Sequence, residues 1–349
     1  PVARASSPPP AKSIATCTRT CGFLQRPKGC SQVVVREPTA TGSRTLADLV
    51  RTLGSDLQIR FGERVHKLAL DTGFTCPNRD GSVGRGGCTF CNNESFAPAA
   101  GSRPDVFEQM ANGAQVVAKR TGARKYLGYF QAYTNTYDRL DRLESLYRQA
   151  LSYPGCVGLS IGTRPDCLGH GVVELLARLR DEGNLIWLEL GLQTVFDETL
   201  VKVNRGHDAD TYFKSAERAR ALGLPVCCHL ILGVPGEDRS HALESHRQVV
   251  EAGVDGLKIH PLHVVRSSLL ASQWRAGEYP PLSLSDYVEW TADLIERTPS
   301  DVVFHRLTGT CSEELLLAPA WCVKKWDVLN AIEAQLRVRG TRQGCLPVT

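Results

Sequence analysis

The sequence predicts an α/β fold in which parallel strands alternate with helices. Short segments rich in Val, Ile and Leu alternate with longer segments whose apolar residues recur three and four positions apart, as in Val172, Leu175, Leu176 and Leu179. The alternation occurs six times, which favours parallel strands joined by helical crossovers. Six such units can form either a partial (β/α)6 barrel or a doubly wound sheet, and the periodicity alone leaves both open.

The units follow one another in a regular order. Strands are predicted at 67–74, 126–133, 156–163, 185–193, 225–234 and 257–265. Helices are predicted between them at 104–120, 138–151, 171–182, 208–222 and 239–252. A short helix at 45–52 precedes the first strand, and a C-terminal extension adds helices at 285–297 and 324–338 around a strand at 302–309.

The basic charge of the 349-residue chain is concentrated at its start. Six of the 41 Lys and Arg residues lie in residues 1–36, which contain no Asp or Glu. The remainder carries 35 basic and 37 acidic residues, so it is not expected to attract nucleic acid by charge. No run of about 18 apolar residues occurs, so we expect no membrane span.

The first 45 residues differ in composition from the rest. They are rich in Ser, Ala, Pro and Arg, which predicts a disordered basic segment, whereas residues 46–344 form the folded core with its extension. This composition is typical of an organelle transit peptide, and a flexible basic tail is the alternative. The predicted location is therefore cytoplasmic or organellar (plastid or mitochondrion). The 13 cysteines are odd in number and irregularly spaced, which favours a reducing compartment over a disulfide framework.

Three cysteines that follow the first strand indicate a metal centre. Cys76, Cys88 and Cys91 lie on one loop rich in Gly. A structural zinc site normally takes four protein ligands, whereas three thiolates on a cubane iron–sulfur cluster leave one iron open for a substrate or cofactor. A zinc loop that borrows Cys156 or Cys167 as a fourth ligand is the alternative reading of this spacing.

The stretch CPNRDGSVGRGGCTFCN resembles the cluster loop of radical S-adenosylmethionine (SAM) enzymes. More narrowly, it resembles the YhcC-like family, whose members are relatives of the elongator catalytic subunit that modifies tRNA wobble uridines. The eleven-residue gap between the first two cysteines is similar to that branch, and Phe90 is the aromatic residue before the last cysteine. The resemblance covers about residues 51–344. It implies a partial (β/α)6 TIM-like barrel of the radical SAM type with a C-terminal helical extension.

The resemblance also implies a function. Cys76, Cys88 and Cys91 would bind a [4Fe–4S] cluster, and SAM would chelate the open iron. Cleavage of SAM would yield a 5′-deoxyadenosyl radical that takes hydrogen from an unknown substrate, with tRNA as one candidate. A flavodoxin- or ferredoxin-type protein would supply the electron. A zinc-stabilised scaffold and a degenerate member without turnover are the alternatives.

Further candidates lie where the predicted strands end, because chemistry collects at the carboxyl ends of strands in parallel barrels. Where the family often carries Gly-Gly-Glu, this chain has Gln131-Ala132-Tyr133, and Asn135 offers another amide oxygen. Arg164 suits the carboxylate of SAM, although a structural pair with Asp166 is the alternative. The predicted cofactor contacts are Phe90, Gln131, Tyr133, Arg164, Glu189, Gln193 and Gly233.

The remaining candidates come from the fourth to sixth strands. Alternation turns Glu189 into the barrel, where a carboxylate must bond the cofactor or a basic residue. Gln193 would contact ribose or methionine, and Gly233 would allow close approach of an adenine. The loop 203–207 offers Arg205 and His207. His260 and His263 are candidates for proton transfer at the substrate, although a strand histidine is also common in a core.

Overall fold

Seven parallel strands form one curled sheet in the computed structural model, which describes residues 45–92 and 104–348. The order is β1-β2-β3-β4-β5-β6-β8, so each strand lies beside its neighbour in the sequence. This order confirms the half-barrel and excludes the doubly wound sheet, in which the strand order reverses partway across. The described strands are β1 (Val65–Leu70), β2 (Lys125–Phe130), β3 (Cys156–Thr163), β4 (Leu185–Gln193), β5 (Val226–Leu232), β6 (Gly256–Pro261), β7 (Val264–Val265), β8 (Val303–Arg306) and β9 (Leu316–Ala318).

Helices pack on the outer face of this sheet and extend the C-terminal part. They are α1 (Leu53–Phe61), α2 (Pro77–Asp80), α3 (Val106–Thr121), α4 (Leu140–Leu151), α5 (Val172–Asp181), α6 (Asp197–Lys202), α7 (Ala209–Ala221), α8 (Arg239–Glu251), α9 (Leu269–Arg275), α10 (Leu284–Arg297) and α11 (Lys325–Arg339). The predicted crossover helices all occur, and α2, α6 and α9 were not predicted.

Several predicted boundaries are wrong. Strands β2 and β8 end at Phe130 and Arg306 rather than at 133 and 309, and three other differences have a clear structural reason. The helix placed at 45–52 is only a 3-10 turn at Leu46–Asp48, because Thr52 caps the true helix α1 by accepting a hydrogen bond from the backbone N–H of Ser55. The first strand ends at Leu70 rather than at 74, where its pairing with β2 ends. The sixth predicted strand divides in two: β6 ends at Pro261, and β7 pairs with β9 in a separate antiparallel ribbon.

The buried residues form layers on the two faces of the sheet. Leu188 and Leu190 of β4 belong to the large outer cluster, together with helix residues such as Leu176 and Tyr212. Inside the barrel, Leu53 and Leu57 of α1 lie in a smaller cluster with residues from the amino-terminal half of the strands. Helix α1 therefore closes the floor of the half-barrel and leaves the carboxyl ends of the strands for a site.

Gln343 joins the two ends of the folded unit. Its side-chain oxygen accepts from the Arg51 N–H at 2.8 Å, and its amide donates to the carbonyls of Pro299 and Val302 at 2.7 and 2.8 Å. Its backbone N–H donates to the Leu49 carbonyl at 3.0 Å. Two of these four hydrogen bonds hold the segment before α1 against the segment after α11, and the other two join the latter to the segment between α10 and β8.

We expect Gln343→Ala to lower the free energy of unfolding by about 1–3 kcal/mol, because it leaves buried backbone groups without partners. Urea unfolding followed by circular dichroism measures the change. The matched control is Gln149→Ala, since the amide of the half-buried Gln149 on α4 donates a single exposed hydrogen bond, to Ser145 Oγ. Equal effects of the two substitutions would contradict the proposed role of Gln343.

Two further predictions concern the N-terminal segment and the absence of a membrane span. The basic segment predicted at 1–45 lies outside the described residues except for its last residue, so its transit function stays a prediction. In the described ranges, no helix combines the length and the apolar character that crossing a bilayer requires.

Candidate active site

A cavity of about 230 Å³ lies where the cysteine loop meets the carboxyl ends of the strands. Ten of the twelve predicted site residues line it, although they are spread over almost 190 positions of the chain. They are Cys76, Cys88, Phe90, Cys91, Gln131, Tyr133, Arg164, Gln193, His260 and His263. Glu189 and Gly233 do not line it.

The cysteine loop is folded tightly by a short helix and by glycines. Cys76 immediately precedes α2, and Pro77 occupies the first helical position, where its missing N–H costs nothing. Gly87 has a φ of 79°, and a β-carbon there would lie 2.8 Å from Nε of Arg79. Only glycine therefore leaves room for Arg79, which donates to the Cys91 carbonyl at 2.8 Å and fixes the end of the loop.

Positive charge and polar hydrogens surround the thiols. Nη1 of the buried Arg205 lies 3.6 Å from Sγ of Cys88, and Nδ2 of Asn78 lies 3.8 Å from the same sulfur. Burial raises the pKa of Cys91 to about 11, the nearby Cys88 adds to this rise, and Arg79 opposes it. Thiolates at these positions would therefore gain most from a bound cation and from the two arginines.

The donor set fits an iron–sulfur cluster in its chemistry. Cys76, Cys88 and Cys91 are free thiols that share one cavity. The fit concerns the type of donor and the shared cavity, because no three or more His, Cys, Asp or Glu side chains within residues 45–92 and 104–348, these cysteines included, are already placed around a single metal-ion position. Of the alternative zinc ligands, Cys156 begins β3 at the opposite end of the strand, and Cys167 is buried behind the cavity wall.

Two of the predicted cofactor contacts have an unusual backbone. Tyr133 and Gln193 have φ angles of 63° and 87°, in the left-handed region that non-glycine residues seldom adopt. Such conformations persist where the surrounding structure enforces them, and they concentrate at functional sites. Asn135, by contrast, is fully buried and donates to the Gly162 carbonyl at 2.7 Å, so it braces the loop after β2 instead of facing the cavity.

Arg164 has both a structural role and a place in the cavity wall. Its guanidinium makes a two-pronged pair with Asp166 at 2.9 and 2.8 Å, and Nη1 donates to the Arg205 carbonyl at 2.8 Å. The structural pair that the sequence left open is therefore present. In the loop after α6, Arg205 lines the cavity and His207 does not.

Glu189 lies at the centre of a buried polar network beneath the cavity. Its carboxylate accepts from Lys258 Nζ at 2.9 Å and lies within hydrogen-bond distance of His229 Nε2 at 2.8 Å and His305 Nδ1 at 3.1 Å. It also accepts from Lys67 Nζ. The sequence predicted that this carboxylate bonds either the cofactor or a basic residue. The structure shows bonds to basic residues. The space beside Gly233 is likewise filled by the protein, because the side chain of Leu282 lies where a β-carbon of residue 233 would be.

The charges in this network are well defined. Burial alone would raise the pKa of Glu189, but Lys258, Lys67 and the hydrogen bonds from the histidines hold that pKa well below its usual range. Burial lowers the pKa of Lys258 to about 8, and the pKa of His229 to about 3. At neutral pH Glu189 is therefore a carboxylate, Lys258 an ammonium group and His229 a neutral imidazole.

Several residues of the cavity were not predicted. Tyr129, His229 and Lys258 line its floor, and Arg79 lines the side of the cysteine loop. The alternation that turns Glu189 inward on β4 also turns His229 inward on β5, so this signal was present in the sequence. Arg79 carried no such signal, because its role depends on the fold of an irregular loop.

Comparisons with known proteins agree with this architecture. A family model described as Radical SAM superfamily matches residues 76–249, and one described as Radical_SAM C-terminal domain matches residues 254–338. Protein YhcC of Escherichia coli K12 is 46% identical over 301 residues, which cover 86% of this chain and 96% of that protein. The tRNA uridine(34) acetyltransferase of Methanocaldococcus jannaschii is 31% identical over 137 residues, 38% of this chain and 25% of that protein.

A solved structure shows the same fold. The archaeal Methanocaldococcus infernus Elp3 with an N-terminal deletion superimposes with a TM-score of 0.59 over 80% of this chain and 64% of that chain. Its sequence identity to this chain is 19%, so the likeness concerns the fold alone.

Proposed function

Because this chain belongs to the radical SAM superfamily, we propose that it is an enzyme that binds a [4Fe–4S] cluster and SAM and removes a hydrogen atom from a substrate. The membership agrees with the resemblance of the cysteine loop and with the cofactors that this resemblance implies. Cys76, Cys88 and Cys91 would hold the cluster. When bound and reduced, the cluster would supply the electron that cleaves SAM to the 5′-deoxyadenosyl radical.

One observation carries this proposal: three free thiols share a cavity with polar residues from the ends of five parallel strands. Three thiolates leave one iron of a cubane open, and the strand ends supply groups that could hold the amino and carboxylate groups of SAM. Gln131 and Tyr133 have amide or carbonyl oxygens that can accept from an ammonium group, and Arg164 can donate to a carboxylate.

The other side of the cavity would meet the substrate. Burial lowers the pKa of His263 to about 4 and that of His260 well below its usual range, so both imidazoles are neutral at physiological pH. A neutral imidazole can donate and accept a proton at its two nitrogens. Helix α1 and the buried network around Glu189 close the floor and so exclude water from below.

Anaerobic reconstitution of the full chain with iron and sulfide tests the proposal. We expect a brown protein that contains iron and sulfide, and that forms 5′-deoxyadenosine when SAM and dithionite are added. Metal analysis of the same sample measures zinc. A colourless protein that retains zinc and takes up no iron would favour the scaffold alternative, and a cluster-containing protein that never forms 5′-deoxyadenosine would favour the degenerate one.

The identity of the substrate is a separate question within the proposal. The relative that is named a tRNA uridine(34) acetyltransferase matches only part of this chain, and tRNA is the candidate that it supports. Against tRNA stands the charge of residues 37–349, which are slightly acidic in total. A flavodoxin- or ferredoxin-type protein remains the proposed electron donor.

Arg205 provides a test of the charge around the cluster. Its guanidinium approaches Cys88 Sγ, and hydrogen bonds to cluster sulfurs raise the reduction potential. We expect Arg205→Gln to lower the potential by on the order of 60 mV, a tenfold change for one electron. An electron paramagnetic resonance titration measures it, with Arg120→Gln as the control, because Arg120 is exposed at the end of α3. An unchanged potential would show that Arg205 does not act on the cluster.

A further inference from the structure

The part of the cavity wall that contains two histidines has a chemistry of its own. It is formed by the end of β6 and by the segment after β8, and His260, His263 and Thr310 line it. Gly309 lies directly against both imidazoles, because a β-carbon there would be 2.6 Å from Nδ1 of His260 and 3.0 Å from Cε1 of His263. The backbone after β8 therefore fixes the position of the two rings.

Neither imidazole has a hydrogen-bond partner among the described residues. Nε2 of His263 is buried and unpaired. A buried polar atom without a partner costs about 1–3 kcal/mol, so such atoms usually mark a place where another group binds. Two side chains that line one wall of the cavity are thus available to a ligand.

Arg306 adds an unused positive charge beside these rings. It stands opposite Lys258 in the register of β6 and β8 and is half-buried. Its guanidinium makes no hydrogen bond or ion pair with any residue in the described part of the chain. After burial, the charge of Arg306 makes the largest contribution to the lowered pKa of His260 and of His263.

The cations that line the cavity already have partners. Arg164 pairs with Asp166, and Lys258 pairs with Glu189. Arg79 and Arg205 are engaged with the cysteine loop. The described wall contains no Asp or Glu that could neutralise a further cation. The unpaired charge is therefore that of Arg306, which stands beside Lys258 in the sheet without lining the cavity itself.

We infer that His260, His263 and Arg306 bind an anionic oxygen group of the substrate, a carboxylate or a phosphate. The inference rests on the proposed function only in placing the substrate in this cavity. Neutral imidazoles donate N–H groups to such an anion, and a guanidinium pairs with it through two parallel hydrogen bonds. The anion would anchor the substrate at the β6–β8 wall and direct the rest of it toward the cysteines.

Calorimetric titration at constant ionic strength tests the site. The full reconstituted chain, with SAM and without reductant, is titrated with inorganic phosphate and, separately, with succinate. We expect saturable binding of one or both, weakened about tenfold or more by Arg306→Gln and less by Arg306→Lys. Arg120→Gln removes the same charge from a distant exposed position and should leave binding unchanged. The probe that binds more tightly identifies the anion class.

Gly309→Ala tests the same site without changing any charge. The added methyl group displaces the ring of His260, so we expect weaker anion binding, with the iron content and the visible spectrum unchanged. Absence of saturable binding to both probes would overturn the inference, as would equal binding by the Arg306→Gln and Arg120→Gln variants. Binding of tRNA alone, retained in Arg306→Gln, would also overturn it.

The two proposals fail in different ways. A protein that binds phosphate or succinate through Arg306 but never forms 5′-deoxyadenosine would contradict the proposed reaction and leave the anion site standing. A protein that forms 5′-deoxyadenosine but binds neither probe would contradict the anion site alone.

Discussion

Replacing Cys88 by Ala is expected to abolish 5′-deoxyadenosine formation, with a loss of at least about a hundredfold relative to the unmodified chain. Cys88 is buried between Arg205 and Asn78, so two donor groups lie beside its sulfur. Under the proposed function, loss of one thiolate would leave the cluster with two protein ligands and with an iron open to solvent. Iron content and 5′-deoxyadenosine, measured on the same anaerobic sample, report the two consequences.

The control for this experiment is Cys345→Ala. Cys345 is an exposed free thiol near the C-terminal end of the chain, outside the cavity wall. It should retain full iron content and product formation. If Cys88→Ala behaved like Cys345→Ala, the cysteine loop would not be the cluster site, and the proposed function would lose the observation that carries it.

The second large effect is expected at Glu189. Glu189→Gln removes the carboxylate that neutralises Lys67 and Lys258, and loss of one partner of a buried ion pair costs about 3–5 kcal/mol. With the carboxylate gone, burial would lower the pKa of Lys258 without opposition. Denaturant unfolding near pH 7 measures the loss. Glu182→Gln, which breaks the exposed pair with Arg148, should change stability little.

This effect has a definite dependence on pH. The folded state holds the pKa of Glu189 well below its usual range, whereas the unfolded chain has an ordinary carboxyl of pKa about 4.3. The stabilisation by the charged carboxylate is therefore complete above that pH and declines as the pH falls below it. The difference between the unmodified chain and Glu189→Gln should narrow in acid. A constant difference from pH 7 to pH 3 would contradict a charge-based role.

A double variant measures how far the effect of Glu189 on stability depends on its ion pair with Lys258. Adding Lys258→Met to Glu189→Gln removes one of the uncompensated charges, so we expect part of the lost stability to return. Additive losses would show that each residue stabilises the fold independently.

The sequence predicted the strand–helix order because the periodicities of the two elements differ and each crossover helix is long enough to display its own. It placed the half-barrel correctly only with the help of the resemblance, since alternation does not fix strand order. The residues at which helices and strands end were harder to predict from the sequence. The prediction extended the first strand as far as the apolar Phe74, but β2 offers no partners to the residues after Leu70, and only the register shows this.

The site was predictable where a residue's role follows from its strand. Gln131, Arg164 and Gln193 lie at strand ends, and these ends meet in any parallel barrel. Glu189 was correctly turned inward, but its partners come from β1, β5, β6 and β8, and no local pattern identifies them. The orientation of Arg306 could not be predicted, for a further reason. The register of β6 and β8 shifts between Leu257 and Lys258, so counting along the strand does not tell which way the side chain of Arg306 points.

The hydrogen bonds of Gln343 have a topological consequence. They bring residue 343 against residues 49 and 51, so the start and the end of the folded unit are neighbours in space. A short linker can therefore join them, and new termini can be opened in an exposed turn such as the one at Gly183, between α5 and β4. A circularly permuted chain of this kind would keep every strand pairing and the whole cavity. The order in which the barrel is synthesised is thus separable from the geometry that its chemistry requires.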